Sequence, residues 1–115
     1  MPCLQLKDGN KLGKAKAILR YLGKIHGYYP EDPFLAYKCD SFIDRAEDVL
    51  SVISKPHFAA DGDNKKKLIS DLFDKTLKEF FVEFETTCGE NFLCGEKLSI
   101  ADFWVCCIYF NFINN

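Results

Sequence analysis

The sequence of 115 residues lacks the long apolar runs and leader segments that would place it in or across a membrane. No stretch reaches the ~20 consecutive apolar residues of a membrane span. Residues 1–6 follow neither the charged-then-apolar plan of a secretory signal nor the arginine-rich plan of a transit peptide. We expect an intracellular protein that is not secreted. It would lie in the cytoplasm, or in an organelle such as the mitochondrion or a large assembly, since processing removes presequences.

Patterns typical of metal sites and disulfide frameworks are also missing. The chain has six cysteines, but no C-x-x-C pair occurs. The two histidines, His26 and His57, lie far from any cysteine spacing typical of a metal site. A helical chain with a core and no secretory signal seldom depends on disulfides. We therefore predict six reduced cysteines, no bound metal ion and no firmly bound cofactor.

The net charge is small, −2 at pH 7, but it is unevenly distributed. Residues 1–27 hold six Lys or Arg against one acid, whereas the remainder holds nine against sixteen. The positive segment either attracts an anionic ligand or an acidic neighbour, or it carries solvated lysines around a short helix. An acidic chain without basic residues interleaved with aromatics argues against a nucleic-acid partner.

The first 27 residues predict a short hairpin followed by one helix. Residues 2–6 alternate weakly and lead into Lys7-Asp8-Gly9-Asn10, a strong turn signal, with Lys11-Leu12 as the return strand. Gly13 is expected to open a helix that ends at Gly27. Its apolar positions recur at helical spacing: Ala17, Ile18, Tyr21, Leu22 and Ile25. Two short strands are marginally stable alone in water, so this segment needs strands from elsewhere.

Two long helices are predicted after a linker that covers residues 28–31. Asp32 is a natural N-cap with Pro33 at the first helical position, and this helix is expected to end near Lys55-Pro56. The next helix is predicted from about Lys65 to Thr86. Its buried side is expected to comprise Ile69, Leu72, Phe73, Leu77, Phe80, Phe81 and Phe84.

The final helix has the clearest start and an unusually apolar composition. Ser99 and Asp102 have the spacing of a capping box, in which each side chain satisfies a backbone N–H of the first turn. Leu98 and Phe103 fall at the positions of a hydrophobic staple. Of the fourteen residues 100–113, only two are plainly polar. A helix that is apolar on every face is normally buried on every face, so something must cover it.

Three segments of the chain resemble cytosolic glutathione S-transferases. Met1–Leu6 with Asp8-Gly9, followed by Ala17–Leu22, looks like the second half of their thioredoxin-like domain. Residues Tyr37–Val49 are similar to helix four of the alpha, mu, pi and sigma classes. Leu98–Phe103 resembles the N-capping box and staple of helix six. Together, and in this order, the segments cover the whole chain with consistent spacing.

The resemblance implies a mainly α fold. A partial thioredoxin-like β-hairpin plus helix, residues 1–27, precedes a helical bundle of the glutathione-transferase C-terminal type, residues 28–115. It also implies truncation at both ends, because the chain begins at the cis-proline position, Pro2, and stops after helix six. The family's catalytic Tyr, Ser or Cys would lie in the missing front part. The resemblance therefore implies that this chain of 115 residues has no catalytic residue.

The glutathione site that the resemblance carries over is incomplete. Met1 matches the residue whose backbone pairs with the cysteinyl part of glutathione. Lys14-Ala15 occupy the positions of a Gln/Glu-Ser pair that binds the γ-glutamyl carboxylate at a helix N-terminus. The hydroxyl is lost there, and Lys14 offers only a flexible point charge. Asp48 matches the acid that reaches the neighbouring subunit's γ-glutamyl amino group, or it is simply an exposed acid. The resemblance implies a vestigial site that binds glutathione weakly at most.

Other residues offer no clear catalytic group. Cys3 follows the cis-proline position and would need a depressed pKa to react, and on an alternating strand we expect its side chain to pack inward. His26 and Tyr28-Tyr29 lie where the helix joins the linker, and we expect these residues to brace the two parts of the chain. Two distant histidines support no Ser–His–Asp arrangement.

Three functions follow from these observations. The first is a catalytically inactive structural or interaction subunit, in which other protein subunits cover Phe103–Ile113 and the Pro2–Leu12 strand edge. The second is a portion of an active glutathione S-transferase that conjugates glutathione to electrophiles. The third is a binding protein for a hydrophobic or anionic small molecule, in a cleft between Met1–Leu12 and the long helix. The resemblance also leaves a homodimer as an alternative, since transferases of this family commonly dimerise.

Overall fold

A two-stranded hairpin and one helix precede the helical part of the chain in the computed structural model, which describes residues 2–58 and 62–112. The elements in chain order are β1 (Cys3–Gln5), β2 (Lys11–Gly13), α1 (Ala15–His26), α2 (Pro33–Phe58), α3 (Asp63–Asp71), a π-helical segment (Leu72–Leu77), α4 (Lys78–Cys88) and α5 (Ile100–Phe112). The predicted mainly α fold is confirmed. Among the described helices, none combines the length and apolarity needed to cross a bilayer.

The hairpin forms at the predicted turn, and the helix after it begins later than expected. The Asp8 carboxylate accepts the backbone N–H of Asn10 at 3.0 Å, which stabilises the turn. Gly13 does not open the helix, because it pairs with Cys3 as the last residue of β2. The helix α1 begins instead at Ala15.

The long helix α2 begins at the predicted cap and continues slightly beyond its predicted end. Asp32 Oδ2 accepts the backbone N–H of Leu35 at 2.9 Å, the bond of an N-cap, and Pro33 opens the helix. The helix continues to Phe58 and includes Pro56. A proline near the end of a helix removes one backbone donor, but its fixed φ is itself helical.

The helix predicted at 65–86 is one helical run over 63–88 that a π-helical segment interrupts. Leu72 and Leu77, at the two ends of that segment, are both buried. Five residues of α-helix would turn these side chains about 140° apart, whereas the wider π turn brings them closer to one face. Ile69 and Phe73 were expected on the buried side, but they are 39% and 44% exposed. The changed register at the π segment accounts for Phe73.

The hydrophobic core lies mainly between α2 and α5, with α4 packed against it. Its buried members are Cys39, Phe42, Ile43, Ala46, Val49, Ile53, Leu72, Leu77, Phe80, Leu93, Cys94, Ile100, Ala101, Val105 and Ile108. The ring of Phe42 lies 5.9 Å from that of Phe80 and 5.6 Å from that of Phe84. Aromatic pairs at such separations stabilise a core beyond the area they bury.

The capping acid Asp102 joins α5 to the loop before it. Its Oδ2 accepts the backbone N–H of Ser99 at 2.8 Å and the hydroxyl of the same residue at 2.7 Å. Its Oδ1 accepts the backbone N–H of Leu93 at 3.0 Å. The acid half of the predicted capping box is thus confirmed, while the Ser99 hydroxyl donates to Asp102 and caps no backbone N–H. This buried carboxylate fixes where α5 begins.

Only one face of α5 is packed in the described part of the chain. The buried face carries Ile100, Ala101, Val105 and Ile108. The other side leaves Phe103, Cys106, Cys107, Tyr109 and Phe110 exposed. The described part of the chain therefore covers one stripe of α5 and leaves these residues without the cover that the sequence predicts for them. Cover by other subunits stays a prediction.

Candidate functional site

The start of α1 has an unusual backbone. Lys14, just before the helix, has φ 67° and ψ 109°, and it alone among the described non-glycine residues has a positive φ. That conformation costs energy for a residue with a Cβ, and such strain concentrates at functional sites. No side chain caps the helix and its first turn carries no acid, so nothing on the helix itself offsets its positive dipole end. The backbone can receive an anion there.

The structure brings together only part of the predicted glutathione set. Lys14 and Ala15 are adjacent and exposed at the start of α1, with a methyl group where the resemblance expects a hydroxyl. Asp48 is exposed on α2, and among the described residues its carboxylate forms no ion pair with Lys14. Met1, and with it the Met1–Pro2 bond, lies outside the described residues. The groups that remain there to bind a ligand are the N-terminal end of α1 and the Lys14 cation.

Charged side chains of α1 and α2 form what we call the α1–α2 ion-pair row: Lys16, Arg20, Asp40, Asp44 and Glu47. Lys16 Nζ lies 3.3 Å from Asp44 Oδ1 and 3.9 Å from Glu47 Oε2. Arg20 Nε donates to Asp40 Oδ1 at 2.7 Å, and Arg20 Nη2 lies 3.9 Å from Asp44 Oδ1. The acidic neighbour that the positive segment was expected to attract is therefore α2 of the same chain.

Tyr29 completes the row at the linker. Its hydroxyl donates to Asp40 Oδ2 at 2.7 Å, so Asp40 accepts from Tyr29 and Arg20 together. Burial opposes ionisation of Asp40, but these two hydrogen bonds outweigh it and lower the pKa of the carboxyl. The bond to Asp40, followed by burial, raises the pKa of Tyr29 to about 12. Both groups are thus stabilised in the protonation states they have at neutral pH.

Sequence reasoning did not predict this row, although the sequence contains a signal for it. Lys16, Arg20 and Lys24 follow each other at a spacing of four, as do Asp40 and Asp44. Residues four apart share one face of a helix, so each set forms a stripe. Lys24 Nζ lies 5.1 Å from the centroid of the Tyr29 ring. Two stripes of opposite charge on consecutive helices would have indicated that these helices meet.

Tyr28, one of the residues predicted to brace the two parts of the chain, contacts the start of α5. The rings of Tyr28 and Phe103 lie edge to face, with centroids 5.2 Å apart. The backbone N–H of Ile100 donates to the carbonyl of Tyr28 at 2.9 Å. Next to this point Gly23 is buried, and a Cβ built on it would lie 2.5 Å from Ile100 Cγ2. The end of α1 thus approaches the start of α5 closely, whereas His26 is exposed.

A cleft of about 980 Å³ lies near the C-terminal end of α1. Its lining comes from residues 24–36 and 94–99 and includes no residue of β1 or β2, unlike the cleft that the sequence predicted. Charged side chains of both signs line it, namely Lys24, Glu31, Asp32, Glu96 and Lys97. Such a mixture gives no preference for an anion, and the cleft is separate from the start of α1.

The thiols do not form a catalytic group in the described residues. Cys3 is exposed and does not pack inward as expected, because Leu4 and Leu12 occupy the half-buried side of the hairpin. Burial raises the pKa of Cys39 to about 12, and it also raises that of Cys88, which disfavours the reactive thiolate. All six cysteines are free. Among the side chains that the structure describes, no His, Cys, Asp and Glu cluster as a metal site would require.

A family model described as "Glutathione S-transferase, C-terminal domain" matches residues 47–115. The chain is 28% identical over 98 residues to glutathione S-transferase A4 of Bos taurus, which is 83% of this chain and 44% of that protein. It is 28% identical over 106 residues to glutathione S-transferase P 10 of Caenorhabditis elegans, at 90% and 48% coverage. The chain therefore spans about half the length of these relatives.

Two solved structures share the fold. Prostaglandin synthase D of Nilaparvata lugens superposes with a TM-score of 0.82 at 30% identity, over 99% of this chain and 61% of that one. Rat hPGDS, complexed with a quinoline, has a TM-score of 0.75 at 24% identity, over 90% and 52% of the two chains. The hairpin, α1 and the helical part thus have the arrangement found in these proteins.

Proposed function

The chain belongs to the glutathione S-transferase family, and on that premise we propose that it is a catalytically inactive structural or interaction subunit of a larger protein assembly. The observation that carries the proposal concerns two residues at the start of α1. Lys14 keeps a strained backbone there, but Ala15 offers a methyl group in place of a hydroxyl. A helix end that lacks this donor binds a carboxylate less tightly, because a charge-assisted hydrogen bond is missing.

Exposed apolar side chains support the interaction role. On α5, Phe110 is 61% exposed, and on α1, Ile25 is 57% exposed. Neighbouring positions on both helices expose Tyr21, Leu22, Phe103 and Tyr109. Exposed apolar side chains in such number are typical of contacts with other protein chains. The proposed partners are protein subunits that cover α5 and the free edge of the hairpin, inside the cell.

The proposed division of the chain follows the same reasoning. Residues 1–27 form a partial thioredoxin-like segment with the vestigial glutathione site, comprising Met1, Lys14 and Ala15. Residues 28–115 form the helical domain and contribute Asp48. The linker supports this boundary, because α1 ends at Gly27 in the left-handed region, with φ 77°. The hairpin buries little on its own, so the helical domain supplies most of the core.

Restoring the missing hydroxyl tests the proposal. We expect Ala15→Ser to strengthen glutathione binding about tenfold, because it adds one hydrogen bond to a carboxylate. Ala17→Ser is the matched control, since Ala17 is exposed on the same helix and should leave the affinity unchanged. Calorimetry of the three chains gives the affinities. Equal affinities for Ala15→Ser and the unmodified chain would mean that the start of α1 is not a glutathione site.

The retained strain at Lys14 favours a second candidate, a portion of an active glutathione S-transferase that conjugates glutathione to electrophiles. Strained residues persist where the surrounding structure or a ligand requires them. An active protein should be retained on immobilised glutathione and should conjugate it to an electrophilic aryl halide faster than the uncatalysed reaction. No retention and no turnover would count against this candidate.

A further inference from the structure

We propose that α1 docks on the helical domain through its charged face, and that this docking is an electrostatic latch. Raised ionic strength opens the latch while α2 and α5 stay packed. The helical domain here means α2 to α5, and the latch consists of the α1–α2 ion-pair row together with Tyr29.

The two faces of α1 carry the argument. Lys16, Arg20 and Gly23 lie on one side, because their spacing of four and three follows the helical repeat. Ile18, Leu22 and Ile25 have the same spacing but lie roughly 180° away, at 100° per residue. The first side meets α2 and α5, through the ion pairs and the close approach of Gly23 to Ile100. The apolar side of α1 is therefore turned away from the helical domain.

Apolar contact between α1 and the helical domain is small. Leu19 is the residue of α1 that packs partly buried against the core, and Gly23 contributes a close backbone approach rather than a side chain. Leu22 and Ile25 remain 36% and 57% exposed. Apolar burial thus retains α1 only through Leu19 and the approach of Gly23 to Ile100, and the proposal assigns the remainder of the docking to the charged groups acting together.

The ion pairs of the latch are open to solvent. The side chains of Lys16 and Arg20 are 31% and 30% exposed, and those of Asp44 and Glu47 are 65% and 51% exposed. Exposed pairs stabilise little individually, and dissolved salt screens them. The core between α2 and α5 is apolar, and salt leaves such packing unchanged or strengthens it. Salt should therefore weaken the latch without weakening the core.

Opening the latch exposes the backbone of α1. An isolated helix of twelve residues is marginal in water, so α1 should lose amide protection once it leaves α2.

Hydrogen exchange on the full chain at two salt concentrations tests the latch. The Debye length is about 30 Å at 0.01 M salt and about 3 Å at 1 M. At the higher concentration we expect amides of 15–26 to exchange about tenfold faster or more, while those of 39–53 and 100–108 change less than about twofold. Unchanged exchange in α1 would overturn the proposal, and so would equal acceleration of all three segments.

Charge variants give an independent readout. Arg20→Gln should speed exchange of α1 at low salt and reduce the further effect of salt, because it removes the central cation of the row. Lys78→Gln on α4 is the matched control, since the structure describes no ion pair for Lys78, and it should behave as the unmodified chain. An Arg20→Gln chain with the exchange and salt response of the control would contradict the proposal. If the Arg20→Gln chain does not fold, the salt series on the unmodified chain still tests the proposal.

Discussion

At the scale of single residues, Gly23 shows how close packing reverses an ordinary helix preference. Replacing glycine by alanine inside a helix normally stabilises it by about 1 kcal/mol. Here the added Cβ would lie 2.5 Å from Ile100 Cγ2. We expect Gly23→Ala to lower the free energy of unfolding by about 1–3 kcal/mol, the usual cost of overpacking. Chemical denaturation of the two chains measures the difference.

The double variant Gly23→Ala with Ile100→Ala is the control for this contact. It removes the Cγ2 atom that the new methyl group meets, so the two changes should cost less together than the sum of their separate effects. A more stable Gly23→Ala chain would show that α1 and α5 are farther apart than the structure has them.

We expect the folded chain to lose stability at alkaline pH because of Tyr29. Its folded-state pKa of about 12 lies above the ordinary value of 10.0, because its hydroxyl donates to Asp40. As pH rises through this window, the unfolded chain releases the tyrosine proton first, and the folded state loses its relative advantage. The contribution of Tyr29 to the free energy of unfolding is complete below pH 10 and disappears as pH approaches 12.

The measurement is the free energy of unfolding below pH 10 and near pH 12 in the unmodified chain and in Tyr29→Phe. We expect Tyr29→Phe to have a flatter pH dependence across that window, since phenylalanine has no proton to lose. Tyr37→Phe is the control, because Tyr37 is 66% exposed on α2. Identical pH profiles for all three chains would argue against the bond to Asp40.

Asp102 is the residue whose removal should cost most for its size. It is 5% exposed and accepts backbone N–H groups from Leu93 and Ser99, so Asp102→Ala leaves two donors without a partner. We expect a loss of at least about 2 kcal/mol, at 1–3 kcal/mol for each unsatisfied donor. Glu79→Ala, an exposed acid on α4, is the control and should change stability little. Equal losses in the two variants would contradict the cap.

At the scale of secondary-structure elements, the π-helical segment determines which of its apolar side chains contribute to stability. Leu77 is 2% exposed and Phe73 is 44% exposed, although an uninterrupted helix was expected to bury both. We expect Leu77→Ala to cost about 2–5 kcal/mol and Phe73→Ala about 1 kcal/mol or less. Denaturation of the two variants compares them directly, and a larger loss for Phe73→Ala would indicate a regular helix.

The elements that were predicted correctly are those that local chemistry determines. The turn at Asp8, the N-cap at Asp32, the end of α1 at Gly27 and the acid at Asp102 each depend on groups a few residues apart. The π segment and the outward face of α5 depend on what packs against them from distant parts of the chain. Periodicity alone contains no such information, so it assigned Phe73 to the core.

At the scale of the whole molecule, the candidate site was only partly predictable. The resemblance identified Lys14-Ala15, and the structure puts them at the uncapped start of a helix with a strained backbone. The charged contact between α1 and α2 was not predicted. Predicting it requires knowing how the two helices cross, which the periodicity of α1 does not give.

The chain has the fold of the glutathione S-transferase family, and our proposal is that its glutathione chemistry has been lost. The core, the caps and the close approach of α1 to α5 stabilise the fold without using the start of α1. That position keeps only a helix end and Lys14. A fold can be kept while its chemistry is lost because the two depend on different residues.

The affinity of the unmodified chain for glutathione tests this central claim most directly. Isothermal titration calorimetry measures it without assuming any reaction. Because the hydroxyl at the start of α1 is absent, we predict a dissociation constant of about 1 mM or weaker. A dissociation constant in the micromolar range, about 1 μM to 10 μM, would show that the site is intact and would contradict the account.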